Sequence, residues 1–342
     1  MRVFLHTGAG KTGTSAIQVA LAKLRPALAE ANLCYPTGFA NSDARAGQGK
    51  ISSGNAAMLG PWLNPNHRRP TYDKSAIDRW LQACIAEAAG RDLLFSSEMM
   101  QFPRPEQAAE LCAVFAAAGY QPTIVFYVRH ALDQAVATYL QHLKRGFVGM
   151  PHRESISSMG DFLRLHRCTF LASIMPFAKI LPPEQIVVRL YEDEAAALVP
   201  RFLRLVTGRD IAVPAMPRIV NRSPTLTEQE VFAALGRLSN GPHLCQLASD
   251  LILNREAAKE PLRVSPADLA AFTARNQHVV DEINARFLGG TAKLRIRSDK
   301  IEIGDVPRPD SDRVYAAFAE SFSLLAAELR TGRGAVASAH TQ

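Results

Sequence analysis

Apolar and polar positions along this chain follow two periods. Four short runs are apolar almost throughout: Arg2–His6 "RVFLH", Asp92–Glu98 "DLLFSSE", Thr123–His130 "TIVFYVRH" and Gln185–Asp193 "QIVVRLYED". Unbroken apolar runs rich in β-branched and aromatic residues suit strands covered on both faces. Each is followed by a helical pattern, as in a parallel sheet with crossover helices. After the first run, "SAIQVALAKLRPALAEA" repeats Ile17, Leu21, Leu24 and Leu28 at helical spacing. The expected fold is α/β: a Rossmann-like central parallel sheet with flanking helices and a helical C-terminal part.

Two polar stretches interrupt this rhythm. Residues 41–72 are rich in Gly, Asn, Pro and Arg, too long for an idle connector, and read as a substrate-side insertion. The stretch from Lys144 to Gly160, "KRGFVGMPHRESISSMG", is basic and polar and reads as a lid. Beyond Asn240 the strand pattern gives way to helical patterns. The organisation expected is an α/β core over 1–240, a mainly helical part of the same domain over 241–330, and a disordered tail over 331–342.

With 342 residues, 47% of them hydrophobic, the chain can bury a substantial core. It has no apolar run long enough to span a bilayer, and Met1 and Arg2 lead straight into the first strand with no signal-like apolar region. Cys34, Cys84, Cys112, Cys168 and Cys245 are scattered without metal-ligand spacing. Together these features suggest a cytoplasmic protein with reduced thiols. The net charge of +7 implies an acidic partner. No aromatic-basic alternation suggests a nucleic-acid surface, so a small anionic ligand or glycan is the partner expected. His67, Arg68, Arg69, Lys144 and Arg145 are basic residues that could meet such an acceptor or simply form a solvated surface. Nothing in the sequence specifies an oligomeric state.

The chemistry concentrates between the first strand and first helix, in "HTGAGKTGTS", His6 to Ser15. A helix N-terminus preceded by glycines offers unpaired backbone N–H groups and the positive end of the helix dipole. In Gly8-Ala9-Gly10-Lys11-Thr12-Gly13-Thr14-Ser15 the glycines allow close backbone approach, Lys11 adds a charge, and Thr12, Thr14 and Ser15 add hydroxyls. A turn that only capped the helix would not need a lysine among so many hydroxyls. The nucleoside-triphosphate pattern G-x-x-x-x-G-K-[ST] fits imperfectly, because Leu5 stands at its first glycine. Neither of the strand ends at Glu98 and His130 carries the Asp that commonly completes a magnesium site.

The loop resembles the 5′-phosphosulfate loop of the sulfotransferase family, a pattern close to H-x-G-x-x-K-T-G-T-[ST]. His6, Gly8, Lys11, Thr12, Gly13, Thr14 and Ser15 fall on it, and Gln18 follows. The resemblance implies 3′-phosphoadenosine-5′-phosphosulfate (PAPS) as donor, adenosine 3′,5′-bisphosphate (PAP) as product, no metal, and a carbohydrate-type or other small acceptor. It also implies a 3′-phosphate contact from Arg129, at the end of the third run. The serine that would accompany it on the next helix is replaced by Ala137, with Thr138 about 100° further round. "PFAKILPPEQIVVRLYED", with its Tyr191-Glu192 end, "RFLRLVTG" and "VNRSPTLTEQE" resemble later family segments.

In sulfuryl transfer, negative charge grows on the leaving phosphate oxygen, and Lys11 is the residue expected to stabilise it. Two residues stand as candidates for the base that takes the acceptor's proton. Glu98 closes the second run, at the sheet edge where α/β ligands bind, and the resemblance adds that carbohydrate-type members commonly use a glutamate. His6 lies on the loop itself, where it could instead support the loop by hydrogen bonds. Glu98 could equally cap the next helix, and Asn221, Arg222 and Ser223 either close over the nucleotide or cap the helix near Thr225. A nucleotide-dependent kinase, or a nucleotide-binding module without catalysis, would share the same loop.

Overall fold

A computed structural model of the chain describes residues 1–38, 53–64, 72–148, 150, 155–214, 222–253, 260–290, 293–307 and 310–330. Residues 41–52 and 65–71 of the expected insertion, residues 149 and 151–154 of the expected lid, Asn221 and the tail 331–342 lie outside them. The chain divides into two compact units interleaved along the sequence. The first comprises Met1–Gln134, Cys168–Pro217 and Asn276–Ile296; the second comprises Ala135–Arg167, Arg218–Arg275 and Arg297–Gln342.

The first unit is built on a parallel sheet of β1 (Arg2–His6), β2 (Leu33–Cys34), β3 (Asp92–Ser96), β4 (Gln121–Val128) and β5 (Ile186–Leu190). Its order is β2-β3-β1-β4-β5. The four strands expected from the apolar runs are present and the fold is α/β, with helices on the sheet. Against one face, Phe4, Leu94, Val125 and Tyr127 meet Ile17 and Leu21 of the helix Thr14–Lys23 and Phe202, Leu203 and Val206 of the helix Leu198–Thr207. On β3, Phe95 contacts Trp80 and Phe115, with ring centroids 5.5 and 5.4 Å apart. These rings bring in the helices Lys74–Ala88 and Pro105–Ala117. The central strands are therefore covered on both sides, which is why their sequences do not alternate.

Four boundaries differ from the sequence expectation. β4 runs Gln121–Val128 and not Thr123–His130, so Arg129 and His130 lie past its end. β3 ends at Ser96, so Glu98 lies two residues past the strand and opens a single 3-10 turn, Glu98–Met100. β5 ends at Leu190, and Tyr191–Glu194 form a short helix. The first helical pattern splits into Thr14–Lys23 and Arg25–Glu30. Pro26, with no N–H to donate, fits the first turn of a new helix and not the middle of a long one. β2 was not expected because two residues give no readable period.

The second unit is mainly helical, with Met159–Leu165, Leu226–Gly236, Gly241–Ile252 and Ser311–Arg330. A short parallel pair, β6 (Leu262–Val264) with β7 (Ile301–Ile303), accompanies them. Thr225 caps the helix Leu226–Gly236 through a reciprocal bond with Glu228, and Arg222 forks onto the same Glu228 at 2.6 and 2.7 Å. The cap is thus Thr225 itself, and Arg222 serves it indirectly by pairing with the Glu228 carboxylate. All five cysteines are buried free thiols. Among the described residues, no helix is long and apolar enough to cross a membrane.

Candidate functional site

His6 closes β1 and the loop follows immediately, so the loop emerges at the carboxyl edge of the sheet, where open α/β folds bind ligands. Two residues of the loop adopt left-handed backbone. Gly13, with φ 78°, starts the helix Thr14–Lys23 and offers it no side-chain cap. A Cβ there would lie 2.3 Å from Leu198 Cδ2 and 3.3 Å from the Tyr191 ring, so both backbone and space require glycine. Lys11, with φ 71°, holds the same conformation at a cost that glycine would not incur. Gly10 has open space around it and no such constraint.

The loop is bound in place from three sides. Thr12 is fully buried and donates from Oγ1 to the Ala9 carbonyl at 2.6 Å. Gln101, which had no signal in the sequence, donates from Nε2 to the Gly8 carbonyl at 2.9 Å. Arg129, one residue beyond β4, donates from Nη1 to the Lys11 carbonyl at 3.1 Å. Its Nε stands 3.5 Å from Glu192 and its guanidinium lies 5.5 Å from the Tyr191 ring centroid. Glu192 also accepts from the His130 backbone N–H. Arg129 is held by these contacts with guanidinium donors to spare.

Beneath the loop, His6 is fully buried. Its Nδ1 is 2.9 Å from Ser96 Oγ, and its ring lies against Tyr127 and Phe202, with centroids 5.9 and 4.9 Å away. Burial pushes its pKa down to about 3, so it is neutral near pH 7. His6 Nε2 and Thr14 Oγ1 are buried and, among the described residues, have no hydrogen-bond partner. Both lie 3.0 Å from where a Cβ on Gly8 would stand, and Thr12 Oγ1 lies 3.4 Å from it. A side chain at Gly8 would therefore crowd these polar atoms, which is why the loop has glycine there. Ser15 is half-buried, and Lys11 is exposed above the loop.

Glu98 is exposed, in a turn whose preceding residue, Ser97, donates its N–H to the His6 carbonyl at 3.1 Å. Ser97, not Glu98, caps that turn by accepting from the Met99 N–H at 3.1 Å. The structure thus brings His6, Gly8 to Ser15, Arg129 and the Glu98 turn to one edge of the first unit. The sequence reading missed Ser96, Gln101 and Asn55. A serine ending an apolar strand beside a histidine ending its neighbour was a legible signal for the first.

Asn55 ties the described part of the insertion to β3. Its Nδ2 donates to the Leu94 and Pro36 carbonyls at 3.0 and 3.2 Å, and its Oδ1 accepts from the Ser96 N–H at 2.8 Å. Gly54 beside it has φ 79°, and a Cβ there would strike the Ser96 carbonyl at 1.9 Å. Gln18, one turn into the helix Thr14–Lys23, is buried with its Nε2 2.7 Å from that same point.

No protein-family model matches the chain, and no curated protein matches it. Among solved structures, a sulfotransferase from Alicyclobacillus acidocaldarius is 17% identical with a TM-score of 0.39, over 75% of this chain and 97% of that one. A sulfotransferase domain from the curacin biosynthetic pathway is 16% identical with a TM-score of 0.35, over 64% of this chain and 76% of that one. Likeness at this level assigns no activity to this chain.

Proposed function

We propose that this chain is a sulfotransferase that moves a sulfuryl group from PAPS to a hydroxyl or amine of a carbohydrate-containing or other small acceptor. The observation that carries the reading is the loop at the carboxyl edge of the sheet: Gly8 to Ser15 leave the end of β1 and run into a helix N-terminus with no side-chain cap, beside Arg129 at the end of β4. Such a terminus suits an oxyanion, which unpaired backbone N–H groups and the helix dipole favour.

In this reading the residues Gly8 to Ser15 hold the 5′-phosphosulfate and Arg129 holds the 3′-phosphate, without help from position 137. The charge is met by Lys11 and Arg129, and no metal is required. Sulfuryl transfer breaks the bond from sulfur to the bridging oxygen and leaves negative charge on the phosphate. Lys11 and the backbone N–H groups of the loop meet that charge. Glu98, exposed beside the loop, is the carboxylate that accepts the acceptor's proton.

The test is release of PAP from PAPS in the presence of a panel of mono- and disaccharides, with wild type and Lys11→Ala. The reading expects acceptor-dependent release and a fall in kcat of about 100-fold or more in the variant, the scale for one lost transition-state donor. Near-normal turnover in Lys11→Ala would remove that lysine from the mechanism.

A further inference from the structure

Lys11 is exposed, yet its backbone is left-handed, with φ 71°. Glycine takes that conformation freely and stands close by at Gly10 and Gly13, but a lysine pays for it. A lysine kept there must be held. Thr12 beside it is fixed by its own bond to the Ala9 carbonyl. The carbonyl of Lys11 accepts from Arg129 Nη1 at 3.1 Å, from 118 residues along the chain. Arg129 in turn has its Nε 3.5 Å from the Glu192 carboxylate and its guanidinium 5.5 Å from the Tyr191 ring centroid. The guanidinium is therefore oriented before any ligand arrives. One of its donors meets Lys11 and Nε faces Glu192, which leaves the others for a ligand. The side chain is 16% exposed, so a small anion can reach it.

We infer that Arg129 couples the two ends of the donor: the guanidinium that meets the 3′-phosphate also holds the backbone turn from which Lys11 acts, making Arg129 the positioning residue for Lys11. An anion on the remaining donors restricts the arginine side chain and so removes the freedom that would let it leave the Lys11 carbonyl. The 3′-phosphate is then read in turnover as well as in binding. A donor without it leaves Lys11 less firmly placed. This inference deepens the sulfotransferase reading and rests on it for the phosphate at Arg129, whereas the brace rests on the hydrogen bond itself.

Three measurements test it. The first is NMR of the ligand-free chain labelled with carbon-13 lysine, the Lys11 signal being assigned by its loss in Lys11→Gly. Its one-bond Cα–Hα coupling, which separates positive from negative φ, is expected to report positive φ in the wild type and an average in Arg129→Ala. The second is titration with adenosine 5′-monophosphate, which has no 3′-phosphate for Arg129 to meet. Arg129→Ala should still weaken its binding about tenfold when Lys11 is present, and by less than about threefold in Lys11→Gly, where the left-handed turn costs little. The third compares saturating PAPS with saturating adenosine 5′-phosphosulfate. In the wild type kcat should be about tenfold higher with PAPS, and in Arg129→Ala the two should agree within about threefold. Positive φ at Lys11 retained in Arg129→Ala would overturn the brace. Equal kcat for the two donors in the wild type would overturn the coupling. Should wild type fail to bind PAP, the donor reading falls and the coupling with it, while the NMR signal still decides the brace.

Discussion

Arg129 donates a hydrogen bond to the carbonyl oxygen of Lys11 at 3.1 Å, joining the end of β4 to the left-handed turn of the loop that follows β1. The bond braces a lysine backbone conformation that is otherwise unfavourable. Arg129→Ala therefore removes this brace and, on the proposed function, a phosphate contact. PAP affinity, measured by calorimetry, should fall by about 2 kcal/mol, the value of a charge-assisted hydrogen bond. Unchanged affinity would place the 3′-phosphate elsewhere.

Glu98 is exposed beside the loop while His6 is sealed beneath it. Glu98→Gln keeps the size of the side chain and loses its basicity. In PAPS turnover assays kcat should fall by about 10²–10⁴, with PAP affinity nearly unchanged. A fully active Glu98→Gln enzyme would exclude the residue as base.

Asn55 makes three side-chain hydrogen bonds to buried backbone groups, two of them on β3 and one at Pro36. Asn55→Ala leaves the Leu94 carbonyl and Ser96 N–H without those partners. Urea unfolding should show a loss of about 2–3 kcal/mol at an unchanged m-value. A loss under 0.5 kcal/mol would mean that the insertion is not held through this residue.

Two histidines make stability depend on pH. Burial lowers His6 to about 3. His166 falls to about 4 through burial and, second, through the charge of His142. Both are depressed below the unfolded value near 6.5, so between these values the unfolded chain binds more protons than the folded one. Stability is fully present above about pH 6.5 and falls as the pH drops toward 4, by about 1.4 kcal/mol per pH unit for each histidine. Urea unfolding from pH 7.5 to 4.5 should show this fall, and His6→Gln should make it shallower. Equal wild-type stability at both ends would contradict the burial of neutral histidines.

The strands at Arg2, Asp92, Gln121 and Ile186 were legible because strands buried on both faces must be apolar throughout. The loop was legible because Gly8 and Gly13 occupy places where a side chain does not fit easily, and such places leave a trace in sequence. Gln101 and Asn55 left none. Each acts on backbone atoms far along the chain, at separations of 93 residues for Gln101 to Gly8 and 41 for Asn55 to Ser96. Polar residues serving distant carbonyls have no period to read. The end of β3 was misplaced for a related reason: Ser97 and Glu98 continue its pattern, but the chain turns there to cap itself.

The central claim is that the loop holds a phosphosulfate donor of the adenosine 3′,5′-bisphosphate type. Calorimetric titration of the wild-type chain compares PAP in the presence of EDTA with ATP plus magnesium. The account predicts that PAP binds without metal at a micromolar Kd, about −8 kcal/mol, and more tightly than ATP with magnesium. Preference for ATP with magnesium, or no binding of PAP, would contradict it.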